Sequence, residues 1–353
     1  MKEFIFWALY IISVVIIIYR INKALIYFNA KFKRGNTDYL LSEVSVIQII
    51  TENRKDLRKN LENNIRKMAA SNFLFVVTKD NNEIKEEMRS IIEENNNCRL
   101  IEIDENLSFG EKLGVALEKS KNYVLILDEY IELEGDISEI IGELSMNKFI
   151  VNGLIYSAKE GNILVGLNSA FHNSHRIFTD LSLAEKGMLN RLNRKFFAAK
   201  KDIFLESRII EYFKEEYINE VEIVKEASEK GITVFQSRVI GRDNYEASDS
   251  TKFSDSIGDE LDGFRNIRRE SLSPLVYILT VIPVFLPSLT LFYSANLGGG
   301  YIALVVVSLF LKAIDTYFIR KGMVDRTLWY GEVLREFFID VFGIIFVFYK
   351  KSR

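Results

Sequence analysis

Apolar positions fall into two regimes along this chain. Near both ends they form long uncharged runs; between the ends, short apolar runs alternate with helix-spaced ones. Phe4–Tyr19 (F-I-F-W-A-L-Y-I-I-S-V-V-I-I-I-Y) carries no charge. With Ile21 and the apolar residues beyond, it approaches the roughly 20 residues a membrane-spanning helix needs. Arg20, Lys23, Lys31, Lys33 and Arg34 follow with no acid before Asp38. Bulky and basic residues there fit an anchor better than a cleaved signal, and they place the following chain in the cytoplasm. Leu272–Ala295 is again uncharged and holds Pro274, Pro283 and Pro287, which a membrane bundle tolerates. After the uncharged turn Asn296–Gly300 comes Tyr301–Ile319, where Lys312 and Asp315 have the spacing to pair on one helical face. Phe337–Tyr349 contains Asp340 and is short for a span, which leaves spanning, interfacial and re-entrant placements open.

The middle reads differently. Val44–Ile50, Asn72–Thr78, Arg99–Ile103 and Tyr123–Leu127 are strand-like runs. Between them, Arg54–Ala70, Glu83–Glu94 and Phe109–Ser120 repeat apolar residues at helical spacing, as in Leu57, Leu61, Ile65 and Met68. Such alternation predicts βαβ units and an α/β, mainly parallel, Rossmann-like sheet. Right-handed crossovers then align the carboxyl ends of the strands on one edge. That edge carries Thr51 and Glu52, Thr78–Asp80, and Asp128 with Glu129, where open α/β sheets bind ligands. Further on, Phe149–Ile155 and Ile163–Leu167 read as a β pair, Thr179–Arg194 and Asp202–Lys230 as mostly helical, and Ile232–Gln236 as a last short strand. The expected division is an anchor over 1–25, a cytoplasmic α/β domain over 40–245, a mobile or interfacial linker over 246–271, and a membrane region over 272–353.

Charge and composition narrow the chemistry. A net charge of −3 gives no bias toward nucleic acid. Cys98 is the only cysteine, so no intrachain disulfide forms, which fits a reducing compartment. His172 and His175 are the only histidines and read as part of a polar loop. The sequence contains no Walker-type lysine motif and no G-x-S-x-G nucleophile turn.

From Val44 to Arg269, and in the bracketing apolar segments, the order of motifs resembles family 2 nucleotide-sugar glycosyltransferases of the GT-A fold, in particular the ceramide glucosyltransferase-like branch. V-S-V-I-Q-I-I-T-E-N-R-K-D-L-R-K-N-L-E-N resembles the branch's first strand and helix, and F-L-F-V-V-T-K-D-N-N-E-I its second strand with a nucleotide-contacting aspartate near Asp80. F-G-E-K-L-G-V-A-L-E-K-S-K-N-Y-V-L-I-L-D-E-Y resembles the Gly-x-Lys helix and the Asp-x-Asp strand. F-F-A-A-K-K-D-I-F matches the family's strand-to-helix turn, and Y-I-N-E-V-E-I-V-K-E-A-S-E-K-G-I its acidic helix, where the catalytic base sits. Three positions depart from the pattern. Tyr130 replaces the second aspartate of Asp-x-Asp, Asn219-Glu220 replaces an Asp-Asp pair, and D-E-L-D-G-F-R-N-I-R-R replaces the Gln-x-x-Arg-Trp motif.

The resemblance implies an inverting transfer of a sugar from a nucleotide-sugar, a UDP-sugar in expectation, to a lipid or membrane-proximal acceptor. Asp128 and Glu129 would hold a divalent cation, Mg2+ or Mn2+, on the leaving diphosphate. Thr51, Glu52, Asp80, Lys112 and Asp128 would bind the donor, and Glu220 would be the base that takes the acceptor's proton, with Asp128 as its catalytic partner. Arg265 and Arg268 would meet the diphosphate or an acceptor headgroup. The expected setting is a bacterial inner membrane with the catalytic part cytoplasmic. The same departures also fit a catalytically degenerate relative kept as a binding or scaffold subunit.

Overall fold

The computed structural model describes residues 1–30, 41–52, 56–146, 149–158, 163–187, 189, 191–206, 209–213, 220–244, 282–324 and 328–348. The chain divides into two compact units: residues 31–155 with 189–245, and residues 1–30 with 156–188 and 246–353. The sequence had assigned 156–188 to the α/β domain; its residues pack instead with the terminal helices.

In the first unit the predicted alternation forms. β1 (Val44–Ile49), α2 (Leu57–Lys67), β2 (Asn72–Thr78), α3 (Asn82–Glu94), β3 (Cys98–Ile103), α4 (Phe109–Glu118) and β4 (Tyr123–Leu127) follow in order. Strand side chains alternate between two faces, and here each face meets a separate apolar core. Val44, Val46 and Ile50 join Leu57, Leu61 and Ile65 of α2 on one side. Ile47 joins Leu113, Ala116 and Leu117 of α4 on the other. Burial on both faces explains the unbroken Val/Leu/Ile runs. Each such side chain removed from water contributes about 1.5–3 kcal/mol before entropy is counted.

The sheet has eight strands in the order β3-β2-β1-β4-β7-β6-β8-β5, with β5 at Ile131–Glu134, β6 at Phe149–Ser157, β7 at Phe196–Lys200 and β8 at Thr233–Asp243. It is parallel through β3, β2, β1 and β4, then antiparallel where β7 joins β4 and β6, so the sheet is mixed and the parallel part covers its first half. Phe196 and Ala198 of β7 enter one core while Phe197 and Ala199 enter the other. Phe196 needs room. A side chain at Gly153 would fall inside its ring, and one at Gly241 would come 2.6 Å from Ile131 and 2.9 Å from Phe196. The short β5 and α5 (Ser138–Met146) lie between the predicted strands Tyr123–Leu127 and Phe149–Ile155, and α8 (Lys201–Glu206) and α9 (Ile209–Tyr212) follow β7.

The second unit is helical: α1 (Lys2–Asn29), α6 (Ile163–Phe171), a π-helical turn at His172–Arg176, α7 (Ile177–Glu185), α11 (Ile282–Ser294), α12 (Gly299–Met323) and α13 (Gly331–Phe348). Ile163–Leu167 is therefore helix, not strand: Val165, Ser169 and Ala170 are buried at helical spacing. α1 and α12 are long and apolar enough to cross a membrane. At about 1.5 Å per residue each exceeds a hydrocarbon core of about 30 Å.

Several charged residues of these helices and of α13 are turned inward. Lys312 of α12 donates to both oxygens of Asp340 of α13, at 2.9 and 2.7 Å, and lies 3.2 Å from Glu336. Glu336 also receives Thr316 at 2.6 Å and Arg320 at 2.9 Å. The pairing expected of Lys312 with Asp315 is thus made with the neighbouring helix, because these carboxylates are the buried ones. His175 is fully buried as well, 3.4 Å from Asp340 and 3.5 Å from the Arg20 guanidinium, so the histidine pair does not form a polar loop. On α13 the opposite face, Leu334, Phe338 and Phe342, is exposed.

Candidate functional site

The carboxyl edge of the parallel strands holds a cleft of about 540 Å³ lined by Thr51, Thr78, Asp80, Asn81, Asn82, Glu83, Glu105 and Lys112. Each comes from the last residue of a strand, from the segment just past a strand end, or from the first turn of a helix. Asn81 caps α3 by accepting the Ile84 N–H at 3.2 Å. Ser108 and Glu111 form a reciprocal capping box that fixes the start of α4 and with it Lys112. Thr51, Asp80 and Lys112, expected separately from three motifs, therefore share one cavity of the size that small-molecule ligands occupy. The cleft is acidic, with Asp80, Glu83 and Glu105 against Lys112. Acids in such a setting accept hydrogen bonds from hydroxyls and do not suit a diphosphate.

Glu129 is placed differently. It is 4 % exposed, and its two oxygens accept the Thr51 backbone N–H at 2.7 Å and the Thr51 hydroxyl at 2.6 Å. It works as a strut between the ends of β4 and β1. Burial pushes its carboxyl up to about 7, against the Thr51 bonds and the Glu52 backbone, which lower it, and with a further rise from the charge of Asp128. Asp128 is half-buried, its backbone N–H donates to Lys195 at 2.8 Å, and its side chain accepts the Tyr130 N–H at 3.0 Å. Tyr130 is buried and its carbonyl accepts the Asn244 N–H at 3.1 Å. A divalent ion needs several open oxygen ligands. This turn offers a sealed carboxylate, an inward tyrosine and one aspartate, and no group of three His, Cys, Asp or Glu side chains among the described residues could hold a metal. The residues present do not fit the ion.

One cation stands beside this turn and a second follows from the same loop, and motif reading passes over both. Lys195 Nζ lies 3.1 Å from the buried Asp243, and the lysine keeps 34 % of its side chain exposed. Burial works against its charge, but Asp243 and Asp128 hold its pKa above the ordinary lysine value. Arg194 lies over the Phe109 ring at the start of α4, 5.9 Å from its centre. The loop that carries them is fixed by the buried Asn152, which accepts the Asn193 N–H at 3.1 Å and donates to the Arg191 carbonyl at 2.9 Å.

The same loop reaches Glu220. Leu192 N–H donates to the Glu220 carbonyl at 3.2 Å, at the first residue of α10 (Glu220–Glu229). Glu220 and Asp128 are thereby tied to two ends of one short segment, Leu192–Lys195. Asn219, Arg265 and Arg268 lie outside the described residues, as does the expected linker over 246–271.

No protein-family model matches the sequence, and among curated proteins none matches it. Solved structures do. A mannosyltransferase from Pyrobaculum calidifontis, in complex with GDP-Man and Mn2+, superposes with a TM-score of 0.55 at 14% identity, over 95% of this chain and 97% of that one. GalNAc-T7, with UDP, GalNAc and Mn2+, gives 0.46 at 12% identity over 68% of this chain and 51% of its own. The mannosyltransferase superposition settles the architecture alone: this chain has a GT-A-like mixed α/β sheet, accompanied by apolar helices.

Proposed function

We propose that this protein is a membrane-anchored glycosyltransferase that moves a sugar, with inversion, from a nucleotide-sugar to a lipid or membrane-proximal acceptor on the cytoplasmic side. The observation that carries the reading is the convergence of Thr51, Asp80 and Lys112 on one cleft at the ligand-binding edge of a GT-A-like sheet. The acidic cleft suits the hydroxyl-bearing nucleoside. Glu220, tied through Leu192–Lys195 to Asp128, is the base that takes the acceptor hydroxyl's proton as the glycosidic bond breaks. α1 and α12 supply the anchor, and the motifs that resemble the ceramide glucosyltransferase-like branch support a lipid acceptor. Arg265 and Arg268 are assigned to that acceptor's headgroup. In the resembling family a divalent ion serves the leaving group; the turn at Asp128–Tyr130 gives no grounds for routing a step through one.

The test is transfer by the purified full chain in lipid nanodiscs, with labelled UDP-sugars and GDP-mannose and a membrane lipid extract as acceptor. A labelled glycolipid is expected, and Glu220→Gln should lower its formation by about 10²–10⁴-fold while nucleotide binding holds. Nucleotide binding with no transfer across the panel would replace the enzyme by a scaffold built on the same fold, a reading that the sealed Glu129 and inward Tyr130 favour.

A further inference from the structure

We propose that Lys195 is the cation that holds the donor's diphosphate, in the place where a divalent metal ion is expected. This rests on the nucleotide-sugar reading and makes that site specific.

A diphosphate bound at this edge needs positive charge, and the cleft that suits the nucleoside carries three acids against one lysine. The turn after β4 cannot gather a metal, for reasons of donor chemistry: Thr51 holds both Glu129 oxygens, and Tyr130 points inward where a second carboxylate is expected. Lys195 lies against that turn. The β4–β7 register sets Leu127 opposite Phe196, so the residue before Phe196 meets Asp128, and the Lys195 carbonyl accepts the Asp128 N–H at 2.8 Å. On the other side, the β5–β8 register sets Ile131 opposite Asp243, and Asp243 holds the Lys195 ammonium at 3.1 Å.

Lys195 is also prepared for a ligand. Its side chain keeps a third of its surface exposed. An ammonium has three donors; one goes to Asp243, which leaves capacity for phosphate oxygens. Lysine serves phosphates as a compact point charge. Asn152, 1 % exposed, fixes the loop through Arg191 and Asn193, and Asn193 Oδ1 accepts the Lys195 N–H at 3.3 Å. The cation is therefore positioned before any ligand arrives, which lowers the ordering cost of binding. Leu192 of the same loop bonds the Glu220 carbonyl, so diphosphate site and base share one support.

The experiment measures UDP and GDP binding to the full chain in nanodiscs by calorimetry, in EDTA and in excess Mg2+ or Mn2+. We expect one of the nucleotides to bind with an affinity that EDTA changes by less than threefold. Lys195→Met should weaken it at least tenfold and Lys195→Arg by less than threefold. Because Lys195→Met takes the ammonium from the buried Asp243 carboxylate, Lys195→Met/Asp243→Asn is measured beside it, with the circular dichroism spectrum as the folding control, and should lose binding equally. Binding that EDTA abolishes, or that survives Lys195→Met and the double variant unchanged, overturns the assignment while leaving the donor reading intact. Absence of binding by either nucleotide with and without metal overturns the donor reading, and this inference with it.

Discussion

Glu129 offers a sharp test because its situation fixes the sign of a pH effect. Its carboxyl titrates near 4.5 in an ordinary setting and near 7 here, with burial as the first cause. Between those values the folded chain keeps a proton that the unfolded chain has released. The unfolded state then binds fewer protons, so stability falls as pH rises through the window, is level above about 7, and is unaffected below about 4.5. At about 1.4 kcal/mol per pH unit the window amounts to about 3 kcal/mol. The groups that bear on the carboxyl are the Thr51 hydroxyl and N–H, the Glu52 backbone and the charge of Asp128. Glu129→Gln removes the titration and keeps the shape. Its amide oxygen can accept one of the two Thr51 bonds, so the variant carries a pH-independent cost of about 1–3 kcal/mol.

Hydrogen exchange suits the measurement. Both tryptophans, Trp7 and Trp329, lie in the helical unit, so fluorescence would report on the wrong one. Amide exchange in peptides covering 44–51 and 123–131, followed by mass spectrometry from pH 4.5 to 8 in the full chain, gives the local opening free energy. The stability difference between variant and parent should move by about 3 kcal/mol in the variant's favour across that range. Two parallel curves would refute the reasoning, and so would a parent protein that gains on the variant as pH rises.

Three further outcomes follow from packing. Gly153→Ala should destabilise the sheet unit by at least about 1–3 kcal/mol, since the added methyl falls inside the Phe196 ring; the same exchange experiment reads it in β6 and β7. Lys312→Met should cost about 3–5 kcal/mol by taking the ammonium from the buried Asp340, and adding Asp340→Leu should recover part of the loss, as read by tryptophan fluorescence on heating in detergent. Gly343→Ala should lower that same melting temperature, because its methyl would overlap the Val284 carbonyl where α13 crosses α11 closely; an unchanged transition would show that the helices separate there at no cost.

The sequence made the first half of the sheet readable because burial on both faces writes strands as unbroken apolar runs. It also located the edge where the cleft lies, since strand–helix alternation forces the carboxyl ends together. The rest was hidden for physical reasons. Ile163–Leu167 is a short apolar run that suits strand or helix equally, and its packing partners decided the matter. β5 spans only Ile131–Glu134 and owes its place to β8, a pairing between residues more than a hundred positions apart. Lys312 was paired with Asp315 by spacing within one helix, whereas the buried carboxylates came from α13. Glu129 read as a metal ligand because the motif shows which residues are present and not which way they turn.

The tyrosine at position 130 and the cation at Lys195 are best understood together. With a tyrosine at that position the turn after β4 folds inward, and the Tyr130 carbonyl accepts the Asn244 N–H. That bond extends the β5–β8 ladder by a step and brings Asp243 opposite Ile131, at the edge of the turn. Asp243 is 3 % exposed and needs a counter-charge, and Lys195 provides it from the loop that Asn152 holds in place. A turn that opened toward a metal would separate Asp243 from Lys195 and take the ammonium from a buried carboxylate, at a cost of several kcal/mol. The inward tyrosine and the lysine therefore stabilise each other. A Tyr130→Asp variant, made to place a carboxylate in this turn, should for that reason lose stability in the sheet unit without gaining metal-dependent nucleotide binding, and a gain of such binding would show that turn and lysine are independent.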